Sequence, residues 1–170
     1  MSSLHPKGRR KFLLNSAAAA AGFFIVPRHV LGKGFIPPSD QLTKGIIGVG
    51  GMGRNHIEYA GTRVVAVCDV EKRNLLAAEK RVGGTIKKFH DHRELIALPE
   101  VDIVHIATPP HWHGIMAIEA AKAGKDIWCE KPMTRFVAEG RAVVNAFKRY
   151  GRVFQIGTFG RFGRSKDKGS

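Results

Sequence analysis

The stretch Gly48-Val49-Gly50-Gly51-Met52-Gly53 constrains this chain more than any other. A β-branched run, Gly45 to Val49, leads into it, and a helix-like stretch, Gly51 to Ala60, leads out. A second such run, Arg63 to Val70, carries Asp69, 21 residues after Gly48. Glycines at this spacing have separate duties. Gly48 permits a tight turn, Gly50 lets the backbone approach a pyrophosphate, and Gly53 allows the helix to pack on the strand. With Gly51 and Met52 between them, the helix start presents free amide N–H groups to phosphate oxygens. Asp69 stands where a carboxylate accepts hydrogen bonds from adenosine ribose hydroxyls. A carboxylate there favours NAD and repels a 2′-phosphate; Arg73 nearby softens that preference and keeps NADP open.

The remainder of the body repeats the same alternation. Further strand-like runs are read at Thr85 to Phe89, Asp102 to Ala107, Asp126 to Cys129 and Arg152 to Ile156. Helix-like stretches fall at Glu71 to Val82, Arg93 to Leu98, His113 to Ala123 and Phe136 to Tyr150. In the last, Val137, Val143, Val144 and Phe147 lie largely on one face at helical spacing. Gly124 and Gly151 follow their helices where a left-handed cap is wanted. Continuous Val/Ile strands alternating with helices predict a parallel sheet covered on both faces. The expected fold is α/β, a Rossmann-like doubly wound parallel sheet.

Two more segments carry chemistry at the sheet's carboxyl edge, where open α/β sheets bind ligands. The loop in Ala107-Thr108-Pro109-Pro110-His111-Trp112-His113-Gly114 is stiffened by its two prolines. His111 and His113 invite a metal reading, but they supply only two ligands, and a zinc site needs a third. His113 either touches a cofactor or caps the helix start. His90 and His92 read as a turn and helix start, and His105 as core. In Cys129-Glu130-Lys131-Pro132-Met133, a lysine at a buried strand end is unusual without a partner. Glu130 is placed to bond a ribose or to pair with Lys131. Beside a nicotinamide, Lys131 polarises or helps deprotonate a substrate hydroxyl as hydride leaves carbon. Cys68 and Cys129 are too few for a disulfide scaffold and wrongly spaced for a metal, so both read as small core residues.

The two ends are of different composition. Formal net charge is +14, and more than half of that excess sits in residues 1–43 and 158–170. A basic surface so dispersed argues against a nucleic-acid binder, which concentrates charge on one face. Lys7, Arg9, Arg10 and Lys11 precede the apolar or small run Phe12 to Val26, interrupted by Asn15 and Ser16. That run is too short and too alanine-rich to span a bilayer stably. It has the layout of a signal peptide, with paired arginines of the twin-arginine type. Residues 1–34 are therefore read as the signal and 35–43 as a linker or arm. Residues 44–157 are read as the dinucleotide-binding domain. Residues 158–170 begin a crossover, or form a flexible tail. Passage through the twin-arginine machinery implies folding in the cytoplasm with cofactor inside, and then a periplasmic or other extracytoplasmic location.

Taken together, GVGGMG, VCD, ATPPHWH and above all AGKDIWCEKP resemble the glucose–fructose oxidoreductase/inositol dehydrogenase family (Gfo/Idh/MocA), over roughly Lys44 to Gly157. The resemblance implies NAD(P)-dependent hydride transfer at a hydroxyl of a sugar, cyclitol or polyol. It places Gly48, Gly50 and Gly53 on the pyrophosphate and Asp69 on the ribose. Thr108, Pro109 and His113 fall on the nicotinamide side, Glu130 at the cofactor, and Lys131 at the chemistry. The family often has Asn where this chain has Pro110. It also implies a second α/β substrate domain, absent from this chain, that often forms the oligomer interface; a homo-oligomer is expected only with it. The 170 residues are accordingly read as a fragment or a truncated product. NAD-dependent glycoside cleavage by transient oxidation and elimination, and a non-catalytic nucleotide-binding module, stand as alternatives.

Overall fold

The computed structural model describes residues 40–158; the stretch read as a signal, and residues 159–170, lie outside them. Consecutive valines and isoleucines point to opposite sides of a strand, so each run needs cover on both faces. Six strands meet that need in one parallel sheet of order β3-β2-β1-β4-β5-β6. They are β1 Leu42–Ile47, β2 Thr62–Cys68, β3 Lys87–Phe89, β4 Ile103–Ile106, β5 Asp126–Glu130 and β6 Phe154–Gly157. The helices are α1 Lys72–Val82, α2 His92–Ile96, α3 Pro110–Lys122 and α4 Val137–Tyr150. Ile46 packs with Val64, Val67 and Leu75 of α1, while Ile47 joins Leu95, Val104 and Ile106 on the other face. The strand order reverses between β1 and β4, and a crevice opens there at the carboxyl edge.

Local chemistry sets the ends of these elements. Gly151, at φ 61°, caps α4, and Gly124 follows α3 at φ 76°, as their positions predict. The Glu139 carboxylate reaches back to accept the Arg135 and Phe136 N–H groups at 3.0 and 3.2 Å, satisfying donors at the start of α4. Asp126 accepts from Arg152 Nε and the Val153 N–H at 2.8 and 2.9 Å, which turns the chain into β6.

Most boundaries shift by a residue or two from the sequence reading, and three of the shifts have a clear cause. β1 begins at Leu42, inside the stretch read as linker, because the Thr43 N–H donates to Asp102 Oδ2 at 2.8 Å and ties the strand to the β4 side. α3 begins at Pro110 rather than His113, since proline is tolerated where a helix has no internal partner for the N–H. The stretch after the glycine turn is a six-residue 3-10 helix, Gly53–Glu58, not an α-helix to Ala60. Lys44, fully buried in β1, donates its ammonium to the His56 and Tyr59 carbonyls at 2.6 and 3.1 Å. The His56 carbonyl also accepts the Tyr59 N–H, at 3.5 Å, where the 3-10 helix ends.

Two variants test these constraints. A Cβ on Gly53 stands 1.7 Å from the Gly48 carbonyl oxygen, whereas one on Gly51 meets nothing within 4 Å. G53A is expected to lose about 3 kcal/mol or more to overpacking, and G51A less than about 0.5 kcal/mol, by urea unfolding. Burial lowers the Lys44 ammonium from 10.5 to about 8. Between those values the unfolded chain binds the proton and the folded chain does not, so this group makes stability rise with pH. Relative to K44M, the native chain should gain up to ~3 kcal/mol between pH 7 and 10.5. Parallel pH profiles of the two chains would refute it.

Candidate functional site

The glycine turn is built by contacts that leave no room for side chains. Gly48 adopts φ +83°, and its N–H donates to the Cys68 carbonyl at 2.8 Å. A Cβ there would press within 2.9 Å of the Ala107 carbonyl group. Gly53 lies directly against the Gly48 carbonyl, so the 3-10 helix packs on the strand end as the third glycine predicts. Around Gly50 and Gly51 the space is open instead: a Cβ at Gly50 meets only Asn74 Nδ2, at 3.5 Å. That asymmetry is what a backbone-lined cradle for a pyrophosphate requires.

The turn forms one wall of a cleft of about 580 Å³. Gly48, Gly50, Gly51, Asp69, Thr108 and Pro109 all line it, from three separate loops at the carboxyl edge. Asp69 does double duty. Its Oδ2 accepts the Val49 N–H at 2.9 Å, and its Oδ1 accepts from the Glu71 N–H at 2.9 Å and Asn74 Nδ2 at 3.2 Å. A carboxylate offers roughly four acceptor sites, so one remains for a ribose hydroxyl. His90, read from sequence as part of a turn, also lines the cleft, as do Arg93, Trp112 and Met116, to which the sequence reading gave no role. His90 Nδ1 donates to the Asp69 carbonyl at 2.9 Å, fixing the ring beside the acidic residue. Burial and nearby carboxylates push the Cys68 thiol, also on the cleft, up to about 12, which leaves it an unreactive wall.

The other expected contacts fall elsewhere. Met52 is half exposed and stands apart from the cleft lining. Glu130, read from sequence as a cofactor contact, is buried and is not among the residues lining the cleft. Its side chain is turned inward, Oε1 lying 2.9 Å from His56 Nε2 and Oε2 accepting the Lys131 N–H at 3.3 Å. His113 is likewise buried beneath the cleft, with ring nitrogens 2.8 Å from the Pro132 and Thr108 carbonyls. Lys131 is exposed, and a cis peptide joins it to Pro132.

Behind Glu130 lies a buried polar cluster that the sequence reading left unconnected. His56 Nδ1 sits 3.1 Å from His105 Nδ1, and Lys44 holds the His56 carbonyl. Burial lowers both histidines; for His56 the Glu130 carboxylate partly opposes it, while His105 falls to about 3. Both rings are therefore neutral near pH 7. His56 Nε2–H then donates to Glu130, and His56 Nδ1 is left to accept the His105 Nδ1–H.

The comparisons with known proteins agree with this geometry. Residues 42–158 match the Gfo/Idh/MocA oxidoreductase family, described as having an NAD-binding Rossmann fold. The chain is similar to a glycosyl hydrolase family 109 protein of Shewanella baltica, at 31% identity over 86% of this chain and 38% of that one. It is also similar to inositol 2-dehydrogenase of Salmonella typhimurium, at 34% identity over 75% and 39%. Among solved structures, myo-inositol 2-dehydrogenase from Lactobacillus plantarum superposes with a TM-score of 0.67 at 27% identity, covering 73% of this chain and 38% of that one. The WlbA dehydrogenase from Bordetella pertussis, in complex with NADH and UDP-GlcNAcA, gives 0.67 and 27%, covering 73% and 39%. The chain spans under two-fifths of the length of the curated relatives it matches. On the family match, the glycine turn and the sheet order together, the chain belongs to the Gfo/Idh/MocA oxidoreductase family and carries its NAD-binding Rossmann domain.

Proposed function

We propose that this chain is the cofactor-binding portion of an exported oxidoreductase acting on a hydroxyl of a sugar, cyclitol or polyol. The observation that carries the reading is the cleft at the β1/β4 reversal, where the Gly48–Gly53 turn and Asp69 face the same space. When bound there, a nicotinamide dinucleotide supplies the hydride acceptor or donor. The chain's own residues divide the remaining work. Backbone at Gly50 and Gly51 receives the phosphates, and Asp69 the adenosine ribose. Thr108 and Pro109 line the opposite wall, and Lys131 at the rim polarises the substrate hydroxyl or holds its proton. NAD is favoured over NADP because a 2′-phosphate would meet the Asp69 carboxylate. The inositol dehydrogenase relatives support the polyol class.

A second reading has its own support. The family 109 glycosyl hydrolase relative aligns over 86% of the chain, more than the inositol dehydrogenase does. Glycoside cleavage by transient oxidation of a sugar hydroxyl uses the same cleft and the same lysine. Release of an aglycone without accumulation of NADH by the whole enzyme separates it from net oxidation.

Two measurements test the proposal. D69N keeps an acceptor for the Val49 N–H but removes the charge. It should weaken NADH by about 1–3 kcal/mol and NADPH by less, in calorimetric titrations; equal losses would remove the ribose role. Export rests on Arg9 and Arg10 ahead of the apolar run. Replacing both by lysine should retain the protein in the cytoplasmic fraction, and unchanged fractionation would exclude the twin-arginine route.

A further inference from the structure

The loop that carries Lys131 is held at both ends by side chains beneath it. At its start the Lys131 N–H donates to Glu130 Oε2 at 3.3 Å, and the other Glu130 oxygen meets His56 Nε2 at 2.9 Å. At its end the Pro132 carbonyl lies 2.8 Å from His113 Nδ1. The opposite nitrogen of that ring is 2.8 Å from the Thr108 carbonyl, in the loop between β4 and α3. His113 therefore stands between the two loops assigned to the nicotinamide side, donating to one carbonyl as a neutral ring and to both as an imidazolium. His56, His113 and Glu130 are 0%, 1% and 5% exposed, and none lines the cleft.

The donors and acceptors are of a kind that fixes position. Carbonyl oxygens only accept, so every N–H that His113 carries is directed at one loop or the other. Glu130 offers two oxygens to two N–H groups that have left water, and removing either partner strands a buried polar group. These residues lie behind the loops, so they reach a bound dinucleotide only through Lys131 and Thr108.

We propose that His113, Glu130 and His56 form a buried brace that positions Lys131 and Thr108 at the nicotinamide end of the cleft, without contacting the cofactor. The inference rests on the dinucleotide reading above. It differs from an ordinary packing role in what it leaves alone. The adenosine half is held by the glycine turn and Asp69, which the brace loops do not carry.

The test uses the full 170-residue chain, titrated with NADH and with ADP-ribose, which lacks the nicotinamide. H113Q and E130L, each shown folded by circular dichroism, should bind NADH about tenfold more weakly. Their affinity for ADP-ribose should stay within about twofold. E130Q should retain most of the NADH affinity. Its amide still accepts the Lys131 N–H and donates to His56, once His56 and His105 exchange tautomers. Amide exchange at Lys131 without ligand should accelerate in E130L and not in E130Q. Should E130L fail to fold, H113Q decides the matter. Equal weakening of both nucleotides, or unchanged NADH binding by folded variants, overturns the brace. Wild-type chain that binds neither nucleotide overturns the dinucleotide reading, and the brace with it.

Discussion

A carboxylate withdrawn from water at the end of a central strand must find donors, and the Glu130 side chain organises this domain around that need. Its two oxygens take His56 Nε2 and the Lys131 N–H. His56 sits in the 3-10 helix that follows the glycine turn, and Lys131 starts the loop on the other side of the cleft. One buried group thus joins the 3-10 helix to the loop bearing Lys131. Lys44 completes the frame by gripping the carbonyls at the end of the 3-10 helix. Tyr59 stacks on His56, with ring centroids 4.7 Å apart, and Trp128 stacks on His105 at 6.0 Å. Aromatic rings thus flank the cluster. One anion, one cation and two neutral imidazoles share this space, so their charges balance.

The fold was legible because its period is simple. Val/Ile runs alternate with amphipathic stretches, and glycines fall at turns and caps, so element type and order follow from local pattern. What was not legible came from partners distant in sequence. β1 starts early because Thr43 bonds Asp102, 59 residues away. The end of the 3-10 helix is pinned by Lys44, whose ammonium bonds the His56 and Tyr59 carbonyls, and nothing within Gly53–Glu58 announces that.

The site divides along the same line. Gly48, Gly50, Gly53 and Asp69 have roles set by backbone geometry and spacing, which a sequence displays. Glu130 and His113 stand beside the right loops but point inward. Strand parity held a usable clue for Glu130. Ile127 and Cys129 belong to the cluster that contains α3 and α4, so Trp128 and Glu130 must face the other side. His105 pairs with Trp128 in register, and Ile46 with His105. Lys44, two residues before Ile46, therefore shares a sheet face with His105, Trp128 and Glu130. Four polar or amphipathic residues at alternating positions on three neighbouring strands mark a buried polar face. Reading one strand at a time hides it.

The cleft is asymmetric in how finished it is. Its adenosine end is enclosed by the glycine turn, Asp69 and His90, with the Asp69 carboxylate already held by three donors. Lys131 does not line the cleft and stands exposed. Polarising a hydroxyl works best in a site cleared of water, where a fixed charge is not screened. Under the proposed reaction, the described residues supply a floor and one wall there. A brace placed under Lys131 suits that arrangement. The lysine's N–H is held by the Glu130 carboxylate within the described residues, while its side chain stays exposed.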